Sequence, residues 1–280
     1  TSEVFLAYGP TPAEPATPFD DVLIDSSPSA ADNVSIWLDT AGQGILPLST
    51  TPERGWQVNI TGGLSVRVTP DLLIGALAGR ESFSYRSDDT GATLSGDGTS
   101  LGAYAGWDIG GRVLVSLGVI NTALDYRTSA GNASGAFQAS RWLVTGDISG
   151  EFTLGDFAVQ PSATLLGVWE SQDAYIDTLL GTHDARQFGS ASASAGIRIS
   201  RALPISEDWE LAPYVGAYLE TDAEATIGDG EATYGVAGRL TAGASLTSVD
   251  NLYIGLDGGI SGIGTDTLTL SARGNLRSSF

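Results

Sequence analysis

His183 is the only histidine in this chain, and there is no cysteine. It sits in the run Gly181-Thr182-His183-Asp184. Zinc chemistry would need a second imidazole or a thiolate to complete the ligand set, and none exists. A serine–histidine mechanism would need a nucleophile motif near it in the fold, and no Gly-x-Ser-x-Gly elbow occurs. His183 therefore reads as an exposed loop histidine. The acids Asp222, Glu224, Asp229 and Glu231 form the best candidate for a divalent cation, Ca²⁺ or an ion bridging to lipopolysaccharide. The plainer reading of that cluster is a solvated loop. Gly259, Gly262 and Gly264 imitate a dinucleotide fingerprint, but no helix follows them. The expectation is a chain with no catalytic residue and no cofactor.

A different set of charges is spaced more tellingly. Arg67, Asp147, Glu151, Glu170, Arg198, Arg239, Asp257, Arg273 and Arg277 stand singly among Ser, Thr, Gln and Asn. Each lies on the polar side of a segment that alternates with a period of two. The chemistry this suits is ion pairing in a hydrated interior.

The elements that position them are long strands. Trp56, Val58, Ile60, Gly62, Leu64, Val66 and Val68 alternate with Gln57, Asn59, Thr61, Gly63, Ser65, Arg67 and Thr69. Soluble strands usually run to about five or six residues, whereas a tilted membrane strand needs about nine to eleven. The pattern predicts twelve strands near 34–41, 55–69, 71–87, 93–109, 112–126, 136–154, 157–171, 185–202, 208–221, 232–247, 251–262 and 267–280. Short connections such as Pro70-Asp71, Gly110-Gly111 and Gly155-Asp156 alternate with longer ones at 42–54, 87–98, 127–135, 172–184 and 222–231. This predicts a closed up-and-down antiparallel transmembrane β-barrel with short periplasmic turns and longer external loops. Trp56, Trp142 and Trp169, with Phe83 and Tyr85, are expected to form one aromatic girdle. Trp107 and Trp209, with Phe152, Phe157 and Phe280, are expected to form the other. Tyr104, Tyr214 and Tyr218 are expected to face the lumen and pack over glycines of neighbouring strands.

Composition agrees with this reading. The chain has 280 residues, 37 of them glycine, and a net charge of −20, with all its basic residues arginine. So acidic a protein is a poor partner for nucleic acid. No run approaches the roughly 18 apolar residues of a membrane helix, which says nothing against strands. The absence of methionine, even at position 1, suggests a mature or excised piece. Residues 1–33 differ from the rest. Pro10, Pro12, Pro15, Pro18 and Pro28 break regular structure, and the segment reads as an irregular lead-in or linker that could enter the lumen. Residues 34–280 read as one outer-membrane barrel.

Several fragments together resemble a known family. They are Val34-Ser35-Ile36-Trp37-Leu38, Thr69-Pro70-Asp71-Leu72-Leu73-Ile74-Gly75 and Leu101-Gly102-Ala103-Tyr104-Ala105-Gly106-Trp107-Asp108. To these are added Val159-Gln160-Pro161-Ser162-Ala163, the run from Leu211 to Tyr218, and terminal Phe280. The chain resembles the C-terminal translocator domain of autotransporters, the type V secretion proteins of Gram-negative bacteria. The resemblance implies a barrel that exports or anchors an upstream passenger in cis. It implies an insertion signal at Leu276 and Phe280, read by the outer-membrane assembly machinery. Ser278 departs from the aromatic or aliphatic residue often found in that signal. The family's pore helix has no evident counterpart in the proline-rich lead-in. The implied surroundings are outer-membrane lipid and lipopolysaccharide, with the barrel a monomer. A general porin or small-solute channel with a polar lumen remains the alternative, and an adhesive barrel acting through its acidic loops is a third reading.

Overall fold

The computed structural model describes residues 33–48, 53–226 and 232–280. Twelve long strands make up the barrel among these residues. They are β1 (Val34–Pro47), β2 (Glu53–Thr69), β3 (Leu72–Ser87), β4 (Thr93–Ile109), β5 (Val113–Ala130) and β6 (Ala133–Gly150). The second half is β7 (Phe157–Gln172), β8 (Arg186–Ser200), β9 (Trp209–Thr226), β10 (Ala232–Ser248), β11 (Leu252–Ile263) and β12 (Thr267–Ser279). Each strand pairs antiparallel with the next. β12 then pairs with β1, from Ser35 opposite Ser279 to Pro47 opposite Thr267. The sheet has closed on itself, so no row of backbone N–H and C=O groups is left at an edge.

The alternation resolves into an outer apolar wall and an inner polar one. Ile36, Leu38, Val58, Ile60, Leu64, Leu117, Val144, Leu165 and Leu219 are all exposed on the outside. Gln57, Ser65, Glu81, Ser116, Thr122, Arg141, Asp147 and Glu170 are buried on the inside. This inverts the usual soluble arrangement and is what a lipid solvent demands.

The strands are longer at one end than the sequence predicts. β1 continues to Pro47 rather than stopping at residue 41. The connection expected at 127–135 shrinks to a turn at Gly131–Asn132, with Gly131 at φ 60°. The reason lies on the outer face. Above Leu101 and Trp142 the outward positions become Arg80, Ser82, Ser84, Asp97, Asp125 and Arg127, which pair across β3 to β5. There the wall leaves lipid for water, so the outer face turns polar and the hydrophobic period fades while the backbone ladder continues.

The predicted strand 136–154 is interrupted. β6 ends at Gly150, and pairing resumes in a short piece, Phe152–Leu154, that continues the hairpin with β7. At the short-turn end, Gly110 and Gly111 take φ of 69° and 68°. Two successive left-handed residues are the primed hairpin turn that suits twisted strands. The connection between β7 and β8 has structure of its own. Tyr175–Ile176 pairs with Thr182–His183 in a small hairpin of its own.

Candidate functional site

The functional surface of a barrel is its interior, and here one half of that interior is densely filled. Arg141 on β6 reaches across to Glu81 on β3, with Nη1 to Oε1 at 2.8 Å. Its Nε donates to Glu170 Oε2 on β7, also at 2.8 Å. Tyr126 on β5 accepts from Arg141 Nη2 at 3.1 Å and donates to Glu170 Oε1 at 2.8 Å. Gln172 donates a further bond to Glu170. Two strands separate β3 from β6, so the Arg141–Glu81 pair spans the curved interior. It passes over Gly98, where a Cβ would lie 2.7 Å from Glu81 Cγ. A side chain at position 98 would close that path.

Toward the extended end, aromatic rings cover this network. Tyr85, Phe83, Tyr126, Phe137, Tyr175 and His183 follow one another with centroid separations of 5.7, 5.3, 4.8, 4.9 and 4.3 Å. Phe83 and Tyr85 are therefore inward and buried, a correction to their expected place in an outer girdle. Their positions share a face with Glu81, and glycine and alanine on both faces of β3 hide that parity in the sequence. His183 is not a bare loop residue. It stacks on Tyr175, and its Nε2 lies 3.1 Å from Asp177 Oδ2. The Asp177 carboxyl is held below its ordinary range by the Gly181 N–H and then by the His183 contact.

Toward the short-turn end, Trp37 donates to Tyr104 Oη at 2.5 Å, and Ser65 shares that hydroxyl at 2.6 Å. Tyr104 lies over Gly75, where an added Cβ would meet its Cζ at 2.2 Å. Tyr214 and Tyr218 pack against Gly243 and Gly196 in the same way. Glycine in these strands is the floor on which a tyrosine from the next strand lies flat.

The other half of the interior, along β8 to β12, is looser and richer in arginine. Arg198 donates to Gln160 at 2.7 Å and covers the Tyr214 ring. Arg239 pairs with Glu220 at 2.7 Å and sits over Tyr218. Arg273 pairs with Asp39 at 2.6 Å, and Arg277 lies over Tyr253. Asp257 is half-buried on the same wall, facing Arg273 across β11 and β12. Asp147 is buried and accepts from Thr164 at 2.6 Å. Glu151 and Arg67 occupy the rim: Glu151 is exposed and accepts from Gln160, and Arg67 donates to the Pro70 carbonyl. Glu81, Arg141, Asp39 and Glu220 are not singled out by the sequence, because a partner on another strand leaves no local signal.

On the outer wall, Trp56, Trp107, Trp142 and Trp169 are exposed. Trp209 is half-buried, and Leu276 and Phe280 face outward. Trp142 and Trp169 are directly opposite one another. Of the acidic cluster, Asp222 is half-buried on β9 and Glu224 lies opposite Thr233. Asp229 and Glu231 lie outside the described residues. No group of three His, Cys, Asp or Glu among the described residues is placed to hold a metal.

Residues 53–275 match the autotransporter β-domain family. The chain belongs to that family. The fold agrees across large evolutionary distance. The translocator domain of the autotransporter NalP from Neisseria meningitidis is 15% identical with a TM-score of 0.74, covering 93% of this chain and 92% of that one. The β-domain of the Bordetella autotransporter BrkA is 14% identical with a TM-score of 0.77, covering 89% of this chain and 100% of that one. The transport unit of AIDA-I from Escherichia coli is 13% identical with a TM-score of 0.63, covering 89% and 90%. No curated protein sequence matches the chain. As an autotransporter β-domain, this barrel resides in the bacterial outer membrane and serves export of an upstream passenger carried in cis. The porin alternative is less supported.

Proposed function

We propose that this autotransporter β-domain works as a non-catalytic conduit and anchor, and that the looser half of its interior carries the transported chain. The observation behind this is the asymmetry of the lumen. The side from β3 to β7 is closed by the Arg141 network and the aromatic stack, whereas inward side chains of β8 to β12 are half-buried. A polypeptide threading the barrel would run past Arg198, Arg239, Arg273 and Arg277. The lead-in, residues 1–33, has six acids and no basic residue, so its charge complements that wall. Lead-in and barrel thus act as separate parts of one device, the first a linker and plug, the second a pore.

The barrel is a monomer in this reading, surrounded by outer-membrane lipid and lipopolysaccharide. Leu276 and Phe280, outward on the strand that closes the cylinder, form the signal the assembly machinery reads. Removing Phe280 should lower the outer-membrane yield of the protein, and an unchanged yield refutes that role. Planar-bilayer conductance tests the plug. The intact chain should conduct poorly and the chain lacking residues 1–33 should open, whereas equal conductance from both removes the lead-in from the pore.

A further inference from the structure

The outer wall carries a cleft of about 900 Å³ at the short-turn end, between β5, β6 and β7. It forms because the wall is interrupted there. β5 turns away at Gly110–Gly111, and its pairing with β6 ends at Val113 opposite Gly150. The N–H of Glu151 goes to the Arg112 carbonyl at 3.2 Å. Past that point the hairpin tip runs on without β5, and Phe152, Leu154 and Phe157 are exposed.

The recess is lined by Val113, Ile148, Phe152, Pro161 and Ala163, and Gly150 leaves its floor without a side chain. These positions share the outer, lipid-facing side of their strands. Arg112 stands at the lip, exposed. It makes no ion pair among the described residues, unlike Arg141, Arg239 and Arg273 of the lumen. A mainly apolar recess continuous with the lipid-facing wall, with Arg112 at its aqueous edge and the nearby Glu151 carboxylate engaged by Gln160, has the polarity of a glycerophospholipid. Its volume falls in the range of roughly 300–1,000 Å³ usual for ligand pockets. The exposed aromatics of the hairpin tip suit the headgroup depth at which such a lipid would sit.

We infer that this cleft holds one glycerophospholipid of the periplasmic leaflet, an acyl chain in the recess and the phosphate at Arg112. The inference goes beyond export and needs only that the barrel be inserted, so a barrel that fails to export can still show it.

The test uses the full chain folded into phosphatidylethanolamine–phosphatidylglycerol vesicles containing a phospholipid with a photoreactive acyl chain. Crosslinks should concentrate on the peptides carrying Val113, Ile148 and Ala163, in excess over Val215 and Leu219 of β9, which are more exposed than Val113 and Ile148. Ala163→Trp fills the recess and should remove the excess. Arg112→Ser should cut it about tenfold, the loss expected for one charged hydrogen bond, while leaving labelling by a neutral diacylglycerol probe unchanged. Heat-modified gel mobility shows which variants are folded, and Arg112→Ser, at an exposed site, remains informative if Ala163→Trp does not fold. Labelling that merely follows exposure around the wall, or that survives in a folded Ala163→Trp barrel, overturns the inference. So does displacement of the probe by lipopolysaccharide in preference to phospholipid.

Discussion

At the scale of single residues, Arg141 has the most at stake. Its guanidinium neutralises two carboxylates that are as buried as it is. Removing one partner of a buried pair leaves an uncompensated charge, which costs about 3–5 kcal/mol. Arg141→Ala should therefore lower the urea midpoint of barrel unfolding sharply. Adding Glu170→Gln should recover part of the loss, because one stranded charge is then gone. Asp177 is the pH-sensitive counterpart in the loop. Its carboxyl titrates below its ordinary value of 3.8. A lowered acid contributes stability that is present above the ordinary value and lost as pH falls through the depressed one. Hydrogen-exchange protection factors across residues 175–183 should thus stay high from neutral pH down to the ordinary carboxylate range and fall below it. Asp177→Asn should exchange faster at neutral pH and show no such step. The charged residues of the inner wall were legible singly, since period two assigns each to a face. Their partners were not. Glu81 meets Arg141 only because the sheet curls, and curvature is a property of the closed cylinder.

At the scale of elements, glycine under tyrosine links sequence to curvature. An added methyl at Gly196 would lie 2.3 Å from both the Ala217 carbonyl oxygen and Tyr218 Cδ1. At Gly42 the nearest atoms are 3.9 Å away. Gly196→Ala should accordingly cost about 1–3 kcal/mol as an overpacking change, and Gly42→Ala close to nothing, measured by the same urea titration. The strands themselves were legible where lipid imposes an apolar outer face, as in β2 and β6. The upper ends of β5 and β6, past Asp125 and Gln138, are not legible in this way, although β3 and β4 are. Hydrophobic alternation reports the solvent outside a strand and not the strand, so where the β5–β6 hairpin rises into water its tip reads as a loop. The break at Glu151 was hidden for the opposite reason, since Phe152 and Leu154 keep the alternation while β5 no longer pairs with them.

At the scale of the whole molecule, lipid outside and water inside explain the composition. Arginine and acids can be plentiful because they turn inward or sit above the membrane, and glycine can be plentiful because tyrosines cover it. The closing pair, β1 with β12, was legible from the terminal alternation ending in Phe280. The unequal filling of the lumen was not, because it depends on which side chains cross the interior.

The measurement that tests this architecture most directly uses two single-tryptophan variants, all other tryptophans replaced by phenylalanine, in vesicles of lipid brominated on its acyl chains. Trp142 is 52% exposed on the outer wall and Trp37 is 6% exposed, turned inward onto Tyr104. The bromines should quench the Trp142 emission strongly and leave Trp37 nearly as bright as in unbrominated vesicles. Equal quenching of the two, or stronger quenching of Trp37, would contradict a barrel with its apolar face to lipid and its polar face within.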